Sequence, residues 1–301
     1  MQAKVAAAFA AIYIIWGSTY LAIRFVIETL PPFFMAGTRF VLAGVILYLW
    51  LRLRGASRPE SSHWRVAFVV GGLMLLGGHG AVVWAEQWVP SGLTSLLIAV
   101  VPLWMVLLDS LRSKAKPNAR VTAGLMFGFA GVALLVGRVE TLSESTLDLA
   151  GAAILVLGAF LWANGSLYSR SAKSPSSPML ATAMEMIAGG ALLLLASVVT
   201  GEWTRIRLDQ VSLQSVLSWV YLVTFGSLVA FTSYIWLLKE TSPERVSTYA
   251  YVNPIVAMFL GWALAGEQLT LQSALAATII LASVVVTTAH QAEKPKQGSA
   301  T

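Results

Sequence analysis

Charged side chains divide this chain into long uncharged runs. Eight runs carry no charge at all, at residues 5–23, 66–85, 87–108, 121–137, 149–169, 210–238, 246–266 and 268–292. Two further apolar runs carry one charge each, Arg39 within 33–51 and Glu185 within 178–200. A helix needs about 20 apolar residues to cross the ~30 Å hydrocarbon core of a bilayer. The pattern therefore predicts an all-α polytopic membrane protein with ten transmembrane helices.

Composition supports this interpretation. Hydrophobic residues make up 57% of the 301 positions and charged residues only 11%, which leaves too little polar surface for a soluble domain of this length. The chain has no cysteine, so disulfides and thiolate chemistry are excluded. It also has no HExxH pair, no GxSxG elbow and no Walker loop. The sequence thus predicts neither an enzyme nor a cofactor site.

The two halves of the sequence are similar to each other. Residues 15–24, IWGSTYLAIR, match residues 161–170, LWANGSLYSR, at an offset of 146 positions. The same offset pairs Pro32 with Pro178, Arg39 with Glu185 and Gly44 with Gly190. Each half then holds five helices, and because five is odd the second half enters the membrane from the opposite side. We predict an inverted repeat of 1–140 and 149–290 with a cytoplasmic tail at 291–301, an architecture typical of secondary transporters.

Lysine and arginine are unevenly distributed over the predicted loops. With ten spans, one side receives 15 of the 20 basic residues, and the other receives only Arg24, Arg138, Arg205 and Arg207. Cytoplasmic loops carry such an excess. We therefore predict that both termini are cytoplasmic and that the protein lies in the cell's inner (plasma) membrane. The basic clusters are explained by topology and by contact with the lipid bilayer, not by nucleic acid.

Six segments carry a resemblance to a known family. They are IWGSTYLAIRF at 15–25, PPFFMAGTRF at 31–40, VPSGLTSLLIAVVPLW at 89–104, GFAGVALLV at 128–136, LWANGSLYSR at 161–170 and SPERVSTYAYVNPIVAMFLGWALAGEQLT at 242–270. Together they resemble the EamA branch of the drug/metabolite transporter superfamily over nearly the whole length. The resemblance implies a ten-helix exporter of small molecules from the inner membrane. Similar bacterial proteins export amino acids and related metabolites, including aromatic amino acids.

Three charged residues in or near the apolar runs are candidates for gating or charge pairing. Arg39 lies about 10 Å below the predicted external face, because six residues of helix rise ~1.5 Å each. It either pairs with Glu86, Glu28 or helix-end carbonyls, or attracts a substrate carboxylate. Glu185, its counterpart in the repeat, either makes a structural hydrogen bond, carries a coupling proton or meets an α-ammonium group. Protons therefore stay open as a second partner beside the substrate.

Aromatic residues fall into two groups. Trp50, Trp64, Trp88, Trp203 and Trp262 lie near predicted interfaces and fit an aromatic belt. Trp16 and Trp162 lie near midspan, are related by the repeat, and precede small polar residues that include Thr19 and Asn164. Trp104 is also well inside its span. These five residues either pack helices together or line a substrate cavity.

Three further residues complete the candidate binding site. His79 is flanked by glycines, and it is either a hydrogen-bonded core residue or part of the cavity wall. It has no second histidine one turn away, so no metal site is predicted. Tyr249 and Asn253 share one helical face just before Pro254, which frees a backbone carbonyl near Ala250.

These features lead to one functional hypothesis and two alternatives. The hypothesis is a secondary transporter that exports amino acids or similar small metabolites by alternating access, through an aromatic-lined cavity between the two repeats. The first alternative is a channel-like facilitator, which would need a continuous polar pore. The second is an exporter of apolar solutes other than amino acids, as in drug efflux. Phosphorylated substrates are disfavoured because Arg39 is the only basic residue inside the predicted spans.

Overall fold

A computed structural model describes residues 2–113, 146–175 and 177–292, and residues 119, 122–124, 126–131 and 133 between the first two ranges. Within these residues the secondary structure is helical, and no strand is present. Several expectations lie outside them: most of the basic loop 114–120, the polar joint 138–145 and the tail from 293 onward.

Ten apolar helices run through the described residues. Seven are long and apolar enough to cross a membrane, and three are shorter. In chain order they are α1 (Gln2–Ile27), α2 (Pro32–Leu53), α3 (Ser61–Ala85), α4 (Ser91–Arg112), α5 (Thr122–Gly131), α6 (Thr146–Ser171), α7 (Pro178–Val199), α8 (Leu213–Glu240), α9 (Tyr249–Ala265) and α10 (Leu271–Ala292). This confirms the prediction of an all-α polytopic membrane protein.

Glycine-rich contacts show that the repeat is real. Helices α2 and α7 occupy equivalent places in the two halves, and they make the most extensive contact between helices in the described part of the chain. A methyl group added at Gly44 would lie 2.9 Å from the Ala183 carbonyl oxygen, and one added at Gly190 would lie 3.0 Å from that of Gly37. The repeat offset exchanges these two contacts. Only glycine allows the backbones to approach so closely.

Two helices of the bundle depart from α-helical geometry at equivalent places. In α3 the segment Gly71–His79 is a π-helix, and in α8 the segment Leu222–Phe231 is another. The third helix of each half is therefore widened in the middle of its span. Such π-segments are often found at functional sites.

A proline lies within the fourth helix of each half. In α4 the regular helix stops at Ile98 and resumes at Val101, immediately before Pro102. Proline lacks the N–H that would bond to the carbonyl four residues earlier, and its ring crowds that carbonyl. In α9 the equivalent residue is Pro254, inside the helix. Each proline leaves the carbonyl four residues earlier without its helical N–H donor, and a carbonyl freed in this way can line a cavity.

Candidate functional site

A cavity of about 70 Å³ lies in the middle of the bundle. Its walls come from α1, α2, α3, α4, α6, α8 and α9, and therefore from both halves of the chain. The lining residues are Trp16, Thr19, Tyr20, Ile23, Arg39, Phe40, Gly78, His79, Val82, Ile98, Gly158, Trp162, Gly226, Phe231, Tyr249 and Asn253. The two π-segments and the residue that precedes the α4 break all contribute to it. Six of the eight residues predicted from the sequence as substrate-binding lie here.

Four aromatic rings form a cluster at one side of the cavity. Trp16 contacts Trp162, Tyr234 and Tyr249 with ring centroids 5.7, 4.9 and 5.3 Å away. Trp162 and Tyr249 each lie 5.7 Å from Tyr234. Rings at such separations stabilise one another through edge-to-face contacts. Tyr234 lies near the end of α8 and Tyr249 at the start of α9, so the cluster lies towards that end of the bundle.

Arg39 forms a polar corner opposite the aromatic cluster. Its Nε donates to Ser227 Oγ at 2.8 Å, and its Nη1 lies 3.3 Å from His79 Nε2. A guanidinium carries no acceptor, so His79 Nε2 must accept this hydrogen bond and is unprotonated. The guanidinium also lies 4.7 Å from the centre of the Phe40 ring. Arg39 thus has neutral partners here, not Glu86 or Glu28.

Asn253 holds the proline-containing helix α9 against α1. With the amide oriented by its surroundings, its nitrogen donates to the carbonyl oxygens of Ile12 at 3.2 Å and Tyr13 at 3.0 Å. This arrangement leaves Oδ1 as an acceptor on a residue that lines the cavity. Thr19 of α1 also lines the cavity. Its hydroxyl donates a hydrogen bond to the Trp16 carbonyl at 2.7 Å.

Two predicted binding residues lie outside the cavity lining. Trp104 packs against Phe129 and Phe160, with ring centroids 4.8 and 5.2 Å away, on the side of α4 that faces α5 and α6. The Asn164 side chain accepts a hydrogen bond from Arg112 at 3.1 Å. Neither residue is among those that line the cavity.

The two carboxylates predicted to act in gating or charge pairing, Glu86 and Glu185, also lie outside the lining. Glu185 Oε1 accepts a hydrogen bond from Ser169 Oγ at 3.3 Å, and Lys239 Nζ donates to the Ser169 carbonyl at 2.5 Å. This contact matches the structural alternative that we considered for Glu185. Glu86 is fully buried at the end of α3, and Arg24 donates to its backbone carbonyl, not to its carboxylate.

Sequence analysis missed several cavity residues. Phe40, Phe231 and Ile98 are apolar residues in apolar helices, so nothing in the sequence distinguishes the face that lines a cavity from the face that meets lipid. Ser227 and Gly226 lie in the π-segment of α8. Their sequence signal is a glycine followed by a serine in midspan, and the same pair occurs elsewhere in the chain.

Comparison with known proteins identifies the class and then the family. The bundle and its central cavity are those of a polytopic membrane transporter. The sequence model of the EamA-like transporter family matches residues 4–137 and 149–289. The chain belongs to this family, whose members are transporters and not enzymes.

Individual relatives agree with this assignment. The chain is 39% identical over 280 residues to the "Uncharacterized inner membrane transporter YedA" of Escherichia coli (strain K12), covering 92% of this chain and 88% of that protein. It is 25% identical over 291 residues to the "Uncharacterized transporter YoaV" of Bacillus subtilis (strain 168), covering 95% and 97%. A crystal structure with 20% identity matches the fold with a TM-score of 0.68, covering 96% of this chain and 98% of the other.

Proposed function

We propose that this protein is a secondary transporter that exports amino acids or similar small metabolites across the cytoplasmic membrane. The observation that carries the proposal is the Arg39 guanidinium. It lines the cavity, is 2% exposed, and has no carboxylate within ion-pair distance among the described side chains. A buried charge in a membrane protein needs a partner or a function. A substrate carboxylate supplies the missing anion, and the planar guanidinium suits it.

The rest of the cavity fits the other groups of an amino acid. An apolar or aromatic side chain would bury itself against Trp16, Trp162 and Tyr249, because aromatic walls provide a large contact area. The α-ammonium group would donate a hydrogen bond to Asn253 Oδ1 and would also lie against the faces of the indole rings. A cavity with one cationic corner also disfavours phosphorylated substrates, which need several basic partners.

Alternating access supplies the transport cycle in this proposal. The halves 1–140 and 149–290 would rock against each other about the α2–α7 contact, whose glycines are related by the repeat. In this cycle the four-ring aromatic cluster would close the cavity towards the end where α8 stops and α9 starts. With both termini in the cytoplasm, as the basic residues suggest, this closed end faces the cytoplasm.

Counterflow in proteoliposomes tests the substrate class. Purified protein is reconstituted with unlabelled amino acids inside, and entry of tritiated amino acids is followed against empty vesicles. We expect exchange of apolar and aromatic amino acids, and little exchange of the same compounds with the carboxylate blocked as an amide. Equal exchange of acid and amide would contradict a role for the carboxylate and favour the export of apolar solutes.

Single-sided labelling distinguishes a transporter from a channel. The chain has no cysteine, so Thr19→Cys introduces a unique thiol at the cavity wall. We expect a membrane-impermeant maleimide to label it from one side at a time, with the accessible side changing when substrate is added. Full labelling from both sides in one condition would indicate a continuous pore and overturn alternating access.

A further inference from the structure

A buried carboxyl group lies beside the cavity and has no role in substrate binding. Glu86 is 0% exposed, and neither carboxyl oxygen has a hydrogen-bond partner among the described residues. Burial of an ionised carboxylate without donors or a counter-ion costs several kcal/mol. A carboxyl group in such a position persists in its neutral, protonated form.

The neighbours of Glu86 do not supply the missing partner. The titratable groups within electrostatic reach are Tyr20 and Arg24 of α1, and Glu267 of the segment between α9 and α10. Arg24 directs its Nη1 to the Glu86 backbone carbonyl at 2.8 Å, so it does not pair with the carboxyl group. Glu267 is an acid itself and repels a second negative charge.

Glu267 and Glu86 are held in opposite ways. The Glu267 carboxylate accepts hydrogen bonds from the backbone N–H groups of Ser91 at 2.7 Å and Gly92 at 3.0 Å. These donors belong to the first turn of α4, where the helix dipole also favours an anion. Glu267 therefore has two backbone donors, while the Glu86 carboxyl group receives none among the described residues. A buried carboxyl group without donors favours its protonated form.

Glu86 is placed where its proton can exchange with the cavity. Val82, one helical turn before it in α3, lines the cavity, and so does Tyr20. Glu86 itself directly follows the last residue of α3, at the end of the helix that leads into α4. Opening of that end would give the carboxyl group access to water. Opening of the other end would give access only through the cavity, past Tyr20.

We propose that Glu86 is the site of a coupling proton, so that the transporter exchanges one proton for substrate. This inference rests on the proposed function. The carboxylate of Glu86 takes a proton from external water, which forms the O–H bond, and the neutral group is then enclosed as that end closes. When the cavity opens to the cytoplasm, the O–H bond breaks and the proton passes to cavity water. One proton enters the cell for each one bound outside, and substrate leaves.

Transport driven by a pH gradient tests the coupling. Proteoliposomes carrying wild type, Glu86→Gln, Glu86→Asp or Glu28→Gln are assayed with tritiated phenylalanine as the probe. Glu28 is exposed at the end of α1 and is the matched control. We expect a proton gradient to drive accumulation by wild type, Glu86→Asp and Glu28→Gln. Glu86→Gln should lose that accumulation completely while still exchanging phenylalanine without a gradient.

A second measurement needs no substrate. Infrared difference spectra of the purified full chain, recorded between acidic and alkaline buffer, report the carbonyl band of protonated carboxyl groups. We expect Glu86→Gln to remove one titrating band that Glu28→Gln retains. Gradient-driven accumulation in Glu86→Gln, accumulation driven by sodium but not by protons, or an unchanged infrared spectrum would each overturn the proposal. Failure of all phenylalanine exchange in wild type would count against the proposed function, while the spectra would still decide the role of Glu86.

Discussion

The indole rings of Trp16 and Trp162 touch across the centre of the molecule, with centroids 5.7 Å apart and ring planes at 81°. These two residues are equivalent positions of the internal repeat, in α1 and α6. Their contact therefore joins the two halves through repeat-related positions. Their N–H groups are satisfied differently, since Trp16 donates to the Gly226 carbonyl at 3.3 Å and Trp162 to the Tyr234 hydroxyl at 3.2 Å. The cavity is thus asymmetric although its walls are repeated.

Removal of the central tryptophan should impair transport without unfolding the protein. We expect Trp162→Ala to reduce amino-acid counterflow by about tenfold or more, because loss of one buried aromatic contact with substrate is worth roughly 1.5–3 kcal/mol. Tyr249→Ala should act in the same direction. Trp262→Ala is the matched control, because Trp262 is 55% exposed within α9 and its ring contact among the described residues is with the exposed Phe259. Normal counterflow in both cavity variants would reduce these residues to helix packing.

Two glycines in the same π-segment should respond differently to an added methyl group. At Gly78 the new carbon would lie 2.9 Å from Trp162 Cε3 and 3.1 Å from its Cβ, so the indole must shift within the cavity. At Gly72 the nearest neighbour of the new carbon would be Leu192 Cδ1 at 3.5 Å, an ordinary contact. We therefore expect Gly78→Ala to lower the counterflow rate and Gly72→Ala to preserve it. Equal rates would mean that the Trp162 position does not control transport.

The sequence predicts the position of a residue along its transmembrane helix better than it predicts the direction of the side chain around the helix axis. Uncharged runs locate the helices closely, as for the predicted span 178–200, which becomes α7 at Pro178–Val199. Repeat and proline positions place Trp16, Trp162 and Tyr249 at the correct depth. Direction around the helix axis is not encoded so clearly, because both the lipid and the bundle interior accept apolar residues. Trp104 was misplaced for this reason.

For the charged residues, too, the sequence predicts the position in the membrane but not the contacts. Membrane burial of Arg39 and Glu185 could be read from the sequence, but their partners could not. Arg39 binds Ser227 and His79 because the π-segments of α8 and α3 turn those side chains towards α2. A π-segment has no reliable sequence signature, since it arises from packing within the folded bundle.

The carboxylate of Glu202 should stabilise the start of α2. It accepts hydrogen bonds from the backbone N–H groups of Phe33 at 3.2 Å and Phe34 at 2.9 Å, and Glu202 is 4% exposed. A helix cap of this kind contributes about 0.5–2 kcal/mol, and the helix dipole adds to it. We expect Glu202→Ala to lower the thermal unfolding midpoint of the detergent-purified protein. Glu28→Ala, at an exposed position, should leave it unchanged; equal midpoints for the two variants would show that the cap is not stabilising.

Reporter fusions should place both termini in the cytoplasm. The basis is the excess of basic residues on one side of the predicted topology, 15 of 20. A fusion after Thr301 and an insertion at Ser57, in the loop between α2 and α3, should both report a cytoplasmic location. An insertion in the loop between α7 and α8, at Thr204, should report the external side. A periplasmic signal at Thr301 would reverse the direction of export in the proposed cycle.

Substitution of Arg39 separates a structural role from a role in substrate binding. Its hydrogen-bond partners, Ser227 and His79, are neutral, so Arg39→Ala leaves no unpaired charge behind. We expect a loss of stability of only about 1–2 kcal/mol from the broken hydrogen bonds. Loss of a buried ion pair would cost more, about 3–5 kcal/mol.

Transport by the same variants should show the larger effect. Arg39→Ala should lose most of its counterflow of amino acids, while any residual exchange of their carboxylate-blocked amides stays unchanged. Arg39→Lys keeps the charge but not the planar pair of donors that matches a carboxylate, so it should be impaired as well. Ser227→Ala removes one hydrogen bond to the guanidinium without removing its charge, and it should fall between wild type and Arg39→Ala. If Arg39→Ala instead unfolds the protein and Arg39→Lys restores both folding and full transport, the guanidinium serves the fold, and the substrate carboxylate must find its partner elsewhere.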